Sequence, residues 1–224
     1  MHNRRRVVAM LAAGLPAASL LLQAAQAATA PTAAPKAAPK AAGNTGRLPD
    51  DIVLGNPKAP VTVIEYASLG CAICARFNNE IFSDFKKKYV DSGQVRFIGK
   101  ELLGPNPALA TAGYLLARCA GQAKYYTVID AIYRAREDMV KTGLYREGLV
   151  KIAGSVGISE ARFDACTKDE AALAALDARV KKNDGEISYL PTFFVNGQMV
   201  GQNFMYLDEL GFYIAEARPL AQGQ

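Results

Sequence analysis

The period of the apolar positions changes repeatedly along the chain, and each change marks an element. After Pro60 comes Val61–Ala67, a run rich in β-branched and aromatic residues, which predicts a buried strand. Phe77, Ile81, Phe82, Phe85 and Tyr89 then recur at helical spacing, predicting a helix over 71–90 that stops before Ser92-Gly93. Residues 95–100 return to a strand pattern. Strand, helix and strand in so short a span form a βαβ unit with parallel strands and a right-handed crossover. The next stretch holds no convincing strand: 107–121, 123–138, 145–157, 159–168 and 169–182 each read as a helix. Strand character resumes at 192–195, turns at Asn196-Gly197, the strongest short hairpin signal, and returns at 198–200. Residues 206–217 read as a closing amphipathic helix, and a short strand near 52–54 can add an edge. The order predicts an α/β fold: one mixed central sheet flanked by helices, with a helical insertion over about 105–185.

The front of the chain follows other rules. Residues 2–6 are polar and basic, 7–22 are apolar but broken by Gly14 and Pro16, and Ala25-Gln26-Ala27 supplies small flanking residues. That is the order of a secretory signal peptide cleaved after Ala27. An uncleaved anchor is the competing reading, but an apolar run of 16 residues is short for a span. The three arginines also permit a twin-arginine signal. No cysteine precedes Cys71, which rules out a lipid anchor on a mature N-terminal cysteine. Residues 28–46 are rich in Ala and Pro, with Ala-Ala-Pro-Lys in tandem, and read as a semi-rigid linker. The domain proper is 47–224.

The formal charge of +5 suggests a nucleic-acid binder until it is located. Arg4, Arg5, Arg6, Lys36 and Lys40 account for five of the 26 basic residues, and no acid lies among 1–46. The remaining 21 equal the 21 acids, so 47–224 is formally neutral and no nucleic-acid partner is expected.

An exported chain meets an oxidising compartment, and this one has four cysteines. Cys71 and Cys74 form a C-x-x-C between the first strand and its helix. A helix N-terminus has unpaired N–H groups and a partial positive charge. Cys71 near the N-cap is therefore expected as an exposed, ionised nucleophile, with Cys74 shielded one turn further in. Zinc is the competing reading of the motif. It would need Cys119 and Cys166 as the other ligands, because the only histidine is His2. A structural disulfide or chance proximity are the other readings.

The segment Val63-Ile64-Glu65-Tyr66-Ala67-Ser68-Leu69-Gly70-Cys71-Ala72-Ile73-Cys74-Ala75-Arg76-Phe77 resembles the active-site strand and helix of the DsbA-like thiol–disulfide oxidoreductases. Leu190-Pro191-Thr192-Phe193-Phe194-Val195-Asn196-Gly197 resembles that family's cis-proline loop and hairpin. The resemblance spans about residues 50–218. It implies a thioredoxin fold with an inserted helical domain, a periplasmic location and disulfide exchange with reduced or unfolded exported proteins. It also implies reoxidation by a DsbB-like membrane quinone oxidase. The exchange itself needs no cofactor or metal, and a monomer is expected. By resemblance Pro191 is cis and sets Leu190 beside Cys71, where its backbone can pair with an extended substrate. Ala72 and Ile73 fall on the substrate side. Glu65 is the buried acid that moves protons to and from Cys74, with Lys100 as its candidate partner. Tyr66, Phe77 and Phe193 read as core.

Cys119 and Cys166 lie in separate predicted helices. A bridge between them resembles the structural disulfide of some family members; two free thiols or an auxiliary redox pair are the alternatives. The bridge would close a loop of about 48 residues, worth roughly 4 kcal/mol in the chain-entropy model. One departure matters for function: family oxidases often carry Pro-His between the cysteines, and this chain has Ala72-Ile73. A Cys71 pKa above that of a Pro-His relative, and a less oxidising disulfide, are expected. That leaves an isomerase or reductase as a second reading, opposed by the lack of room at 28–46 for a dimerisation domain. A binding or chaperone module with a structural C-x-x-C is a third.

Overall fold

The computed structural model describes residues 50–218 apart from 186, 203 and 205. The expected signal peptide and the whole of the linker lie outside the described residues.

Strand β2, Val61–Ala67, is the centre of a five-stranded sheet ordered β1-β3-β2-β4-β5. Its alternation is lost because both faces are covered: all but one of its residues are buried. On one side β3, Val95–Glu101, runs parallel, pairing Val61 with Val95 and Ala67 with Glu101. On the other side β4, Thr192–Val195, runs antiparallel, pairing Glu65 with Phe193. Edge strand β5, Gln198–Gln202, extends two residues beyond the expected 198–200. The β4–β5 turn uses Asn196 and Gly197, both at positive φ, as a tight hairpin requires. Asn196 also accepts from the Thr62 amide at 2.8 Å, fastening the hairpin to β2. The short β1, Val53–Leu54, pairs antiparallel with β3.

Helix α1 begins at Ala72–Phe77 and runs on through π-type turns at Asn78–Phe82, an α turn at Ser83–Phe85, and further π-type turns at Lys86–Val90. The expected plain helix is thus wider than a regular one, and the sequence contains the reason. Phe77, Ile81, Phe85 and Tyr89 are spaced by four, which outruns a turn of 3.6 residues. The π-type turns keep all four on the buried face.

Among the described residues, β3 and β4 are separated by five α-helices, α2 Pro107–Cys119, α3 Tyr125–Thr142, α4 Tyr145–Ser155, α5 Glu160–Thr167 and α6 Glu170–Asp184, with a short 3-10 turn at Gln122–Lys124 leading into α3. Their stops follow from local chemistry. Gly143 at φ +73 ends α3 and donates to Met139 O at 2.9 Å. Ser159 and Asp169 cap α5 and α6 through their side chains. Helix α7, Leu207–Glu216, closes the domain. Two apolar cores result. Phe77, Phe85, Phe97, Phe193, Leu210 and Ile214 fill one between the sheet, α1 and α7. The other is more aliphatic, with Leu109, Leu116, Ile132, Leu149 and Leu176 among its members. Among the described residues no helix is long and apolar enough to cross a membrane.

The end of β3 ties the inserted helices to the sheet. Buried Glu101 accepts from Arg179 Nε at 2.6 Å, Arg118 Nε at 2.7 Å and Tyr125 OH at 2.9 Å. A buried carboxylate needs such partners to offset its desolvation.

Candidate active site

The C-terminal end of β2 turns sharply through Ser68, Leu69 and Gly70 into α1. Leu69 is fully buried and anchors the turn. The Gly70 amide donates to Ser68 Oγ at 3.1 Å, and the Cys71 amide donates to Ser68 O at 3.0 Å. Gly70 must be glycine, because a Cβ there would collide with the Pro105 carbonyl. This turn delivers Cys71 to the N-cap of α1 in extended geometry, φ −86° and ψ 126°.

Cys71 and Cys74 are both thiols. Cys71 Sγ accepts the Cys74 N–H at 3.2 Å. Hydrogen bonding from Cys74 is the main cause that pulls the Cys71 thiol down from 9.0 to about 6; burial opposes it, and Arg136 adds a favourable charge. Cys74 is fully buried, and burial first, then its hydrogen bond with Cys71, pushes its thiol far up. One turn of helix therefore holds a low-pKa sulfur beside a high-pKa one.

Cys71 is less open than the sequence suggests, at 5 % exposure. The loops carrying Pro105 and Leu190 close around it. Cys71 lines an open cleft of about 510 Å³ with Leu103, Gly104, Pro105, Tyr189 and Leu190. The Leu190–Pro191 peptide is cis, and the Cys71 thiol faces Leu190 O at 3.8 Å. Ala72 and Ile73 between the cysteines are exposed.

Glu65 lies two residues before the end of β2, in the interior below the cysteines. Its Oε1 is buried without a hydrogen-bond partner. Burial, then the Cys71 charge, raise its carboxyl from 4.5 to about 8. It borders a cavity of about 30 Å³ shared with Tyr114, Tyr125, Tyr126 and Tyr133, large enough for a water molecule. The suggested Lys100 partnership is corrected by the structure. In β2 and β3, Lys100 is in register with Tyr66 and Glu65 with Gly99, and neighbours along a strand point to opposite faces. The Lys100 ammonium is instead buried against Asp51 at 2.6 Å.

Cys119 and Cys166 are joined by a disulfide, with Cα atoms 6.1 Å apart, which links α2 to α5. The four sulfurs do not converge, and among the described residues no group of three or more His, Cys, Asp or Glu is placed to hold a metal. Sequence reasoning missed Arg136 and Asn106, which both donate to Gly70 O. One signal was available: Arg136 falls on the face of α3 that buries Val128, Ile132 and Met139.

Comparison with known proteins places this geometry. The thioredoxin family model matches residues 47–213. A Rickettsia conorii protein provisionally named a protein-disulfide oxidoreductase is 33% identical over 155 residues, 68% of this chain and 55% of that protein. The chain thus spans about half the length of the curated relatives it matches. The crystal structure of Wolbachia pipientis alpha-DsbA1 superposes with a TM-score of 0.66 at 25% identity, covering 76% of this chain and 92% of that one. Oxidised BdbD from Bacillus subtilis, at 23% identity and a TM-score of 0.56 over 75% of this chain and 92% of its own, shares the fold.

Proposed function

The chain belongs to the thioredoxin family, among its DsbA-like members, and from that premise we propose that it is a thiol–disulfide oxidoreductase that donates a Cys71–Cys74 disulfide to reduced proteins. One observation carries the reading: Cys71 sits at a helix N-terminus and lines a cleft, and its sulfur accepts the Cys74 amide and faces the Leu190 carbonyl.

The chemistry follows from the two unequal sulfurs. A substrate thiolate in the cleft attacks Cys71 Sγ. The Cys71–Cys74 bond breaks, a mixed disulfide forms, and Cys74 leaves with the electron pair. Its buried thiolate is strongly disfavoured, so it takes a proton. Glu65 supplies that proton, since a carboxyl with a pKa of about 8 is largely protonated at neutral pH. A second substrate thiolate attacks the substrate sulfur of the mixed disulfide and expels Cys71. Its low pKa makes Cys71 a good leaving group. The substrate loses two electrons to the enzyme and gains a disulfide. The backbone of Leu190 holds the substrate strand, with Ala72 and Ile73 along its path and Pro191, which has no N–H to offer the thiolate, fixing the loop.

The direction is oxidation because everything that stabilises the Cys71 thiolate stabilises the dithiol form. The working setting is the periplasm, reached through a cleaved signal peptide. The enzyme acts as a monomer and is reoxidised by a DsbB-like quinone-linked membrane oxidase. Cys119–Cys166 stays closed as a structural bridge.

The test is the reduction potential of the Cys71–Cys74 pair in glutathione buffers, with Cys119–Cys166 intact and Cys71→Ser as control. A value near about −120 mV is expected of a disulfide donor, and one near about −270 mV would make the protein a reductant or isomerase. Exchange that survives in Cys71→Ser would sink the site assignment altogether.

A further inference from the structure

We propose that Arg136, delivered from the inserted helices, is a positioning residue that grips the Gly70 peptide and sets a fixed positive charge beside the Cys71 sulfur. The inference rests on the exchange reaction above and adds a residue that the cysteine motif does not contain.

The geometry is unusual for a helix arginine. Arg136 lies on the apolar face of α3, four residues after buried Ile132 and three before buried Met139. It is half-buried, and both its Nε and its Nη2 donate to one oxygen, the Gly70 carbonyl, at 3.0 and 2.8 Å. Gly70 is the residue immediately before Cys71, so the guanidinium sits across a single peptide from the reactive residue. Asn106 Nδ2 donates to the same oxygen at 3.1 Å. Asn106 is itself fixed by a left-handed backbone, φ +56, and by the Tyr145 hydroxyl at 3.3 Å. Three donors on one carbonyl immobilise the turn that aims Cys71 into the cleft.

The charge on that clamp is not neutralised nearby. Among the described residues Arg136 makes no salt bridge. Arg134, two residues earlier on the exposed side of the same helix, is paired with Asp130 at 2.8 Å. Arg118 and Arg179 are both spent on Glu101. A guanidinium facing a carbonyl dipole keeps its full charge, and that charge favours the ionised form of a neighbouring thiol. The other ionisable groups near Cys71 lie elsewhere: Glu65 on β2, Cys74 on α1 and Tyr133 on α3. Of these only Glu65 titrates in the working range, because Cys74 and Tyr133 are pushed well above it, and the Glu65 charge acts against the Cys71 thiolate. Arg136 is the counterweight. It acts on the dithiol form, which carries a thiolate, and not on the disulfide, which carries no charge. It therefore shifts the redox equilibrium toward the dithiol and makes the disulfide a stronger oxidant.

The test compares wild type with Arg136→Gln, Arg136→Lys and Asn106→Gly. The Cys71 thiolate is titrated by its ultraviolet absorbance in the reduced protein, and the redox equilibrium is read against glutathione. Gln keeps an N–H donor for the Gly70 carbonyl and removes the charge. The Cys71 pKa should rise by about one unit. The equilibrium should move about tenfold toward the disulfide, about 30 mV. Lys keeps the charge and should restore most of both. Gly at 106 keeps the left-handed backbone and removes a neutral side chain, the donor to Gly70 O and the acceptor of the Tyr145 hydroxyl, so it should move the titration by no more than about a tenth of a unit. An unshifted titration in Arg136→Gln overturns the inference, as does an equal shift in Asn106→Gly. Should the Gln variant fail to fold, a Lys variant that folds but titrates a full unit above wild type overturns it too. A wild type that titrates near 6 but never exchanges with glutathione would instead overturn the proposed reaction and leave the effect of Arg136 on the thiolate readable.

Discussion

The two cysteine pairs of this chain sit at opposite poles of their helices. Cys71 caps the N-terminus of α1 and Cys74 lies in its first turn. Cys119 is the last residue of α2, and Cys166 the last but one of α5. A helix presents partial positive charge and free N–H groups at its start, and partial negative charge and free carbonyls at its end. A thiolate is welcome at the first pole and unwelcome at the second. The Cys71 thiol is drawn down to about 6, toward attack and departure. A sulfur at a helix C-terminus gains no such help, so a bridge between two C-termini is slow to be opened by its own chemistry. Cysteine count and compartment are the same for both pairs. Placement on the helix is what separates a reactive pair from a staple.

The sharpest way to break the comparison is to remove the staple. Replacing Cys119 and Cys166 together by Ala should cost roughly 4 kcal/mol of stability, because the bridge spans 47 positions in sequence. Urea unfolding measures it. The glutathione equilibrium of Cys71–Cys74 should stay at the wild-type value. A change in that equilibrium would mean that the second pair takes part in the redox chemistry, and the contrast between the poles would fall.

A smaller effect is expected at Glu65, and it has a sign that depends on pH. In the reduced protein, Glu65 keeps its proton up to about pH 8, whereas the unfolded chain loses it near 4.5. The folded state binds more protons in that window, so this group is stabilising in full only below 4.5, and its contribution is lost as pH rises to 8. Cys71 works the other way. Its folded pKa is lowered from 9.0 to about 6, so its contribution is present in full above 9 and is lost as pH falls to 6. The two partly cancel between 6 and 8. Glu65→Gln should stabilise the reduced protein at pH 7 by about 1–3 kcal/mol and uncover a rise in stability from pH 6 to 9. It should also slow exchange, by removing the proton source for Cys74. Stability profiles of the reduced protein across pH decide it; a flat profile in the variant would mean that Cys71 does not ionise near 6.

How much of this was legible in sequence follows from the range of each interaction. The βαβ start, the Asn196-Gly197 hairpin and the five inserted helices are local patterns, and the structure places them within a few residues. Glu65 also stood out, as an acid inside an apolar strand. The π-type turns of α1 were written in the spacing of four between Phe77, Ile81, Phe85 and Tyr89, a signal that a search for 3.6 periodicity absorbs. The Gly70 clamp was not legible, because Arg136 and Asn106 stand 66 and 36 positions away and meet only when the inserted helices dock. Lys100 was assigned to Glu65 from proximity along strands, but it belongs to the opposite face with Asp51. The closing of loops over Cys71 is likewise a long-range fact, which puts this cysteine in a cleft and not on a tip.

The finest adjustment concerns the residue between the cysteines. Family oxidases often place His where this chain has Ile73, and that absence suggested a weaker oxidant. The structure supplies other sources of thiolate stabilisation, the Cys74 donor first and Arg136 after it. Ile73 is 44 % exposed, so a charge placed there is screened by water. Ile73→His should therefore lower the Cys71 pKa by only about half a unit. It should raise the potential by about 15 mV. The same histidine introduced beside the second pair, at Thr167, should leave the potential of Cys71–Cys74 untouched. A drop of two units or more at Cys71 would show instead that the cation between the cysteines dominates the helix pole, and that the native Ala72-Ile73 dipeptide holds this protein well back from its strongest oxidising form.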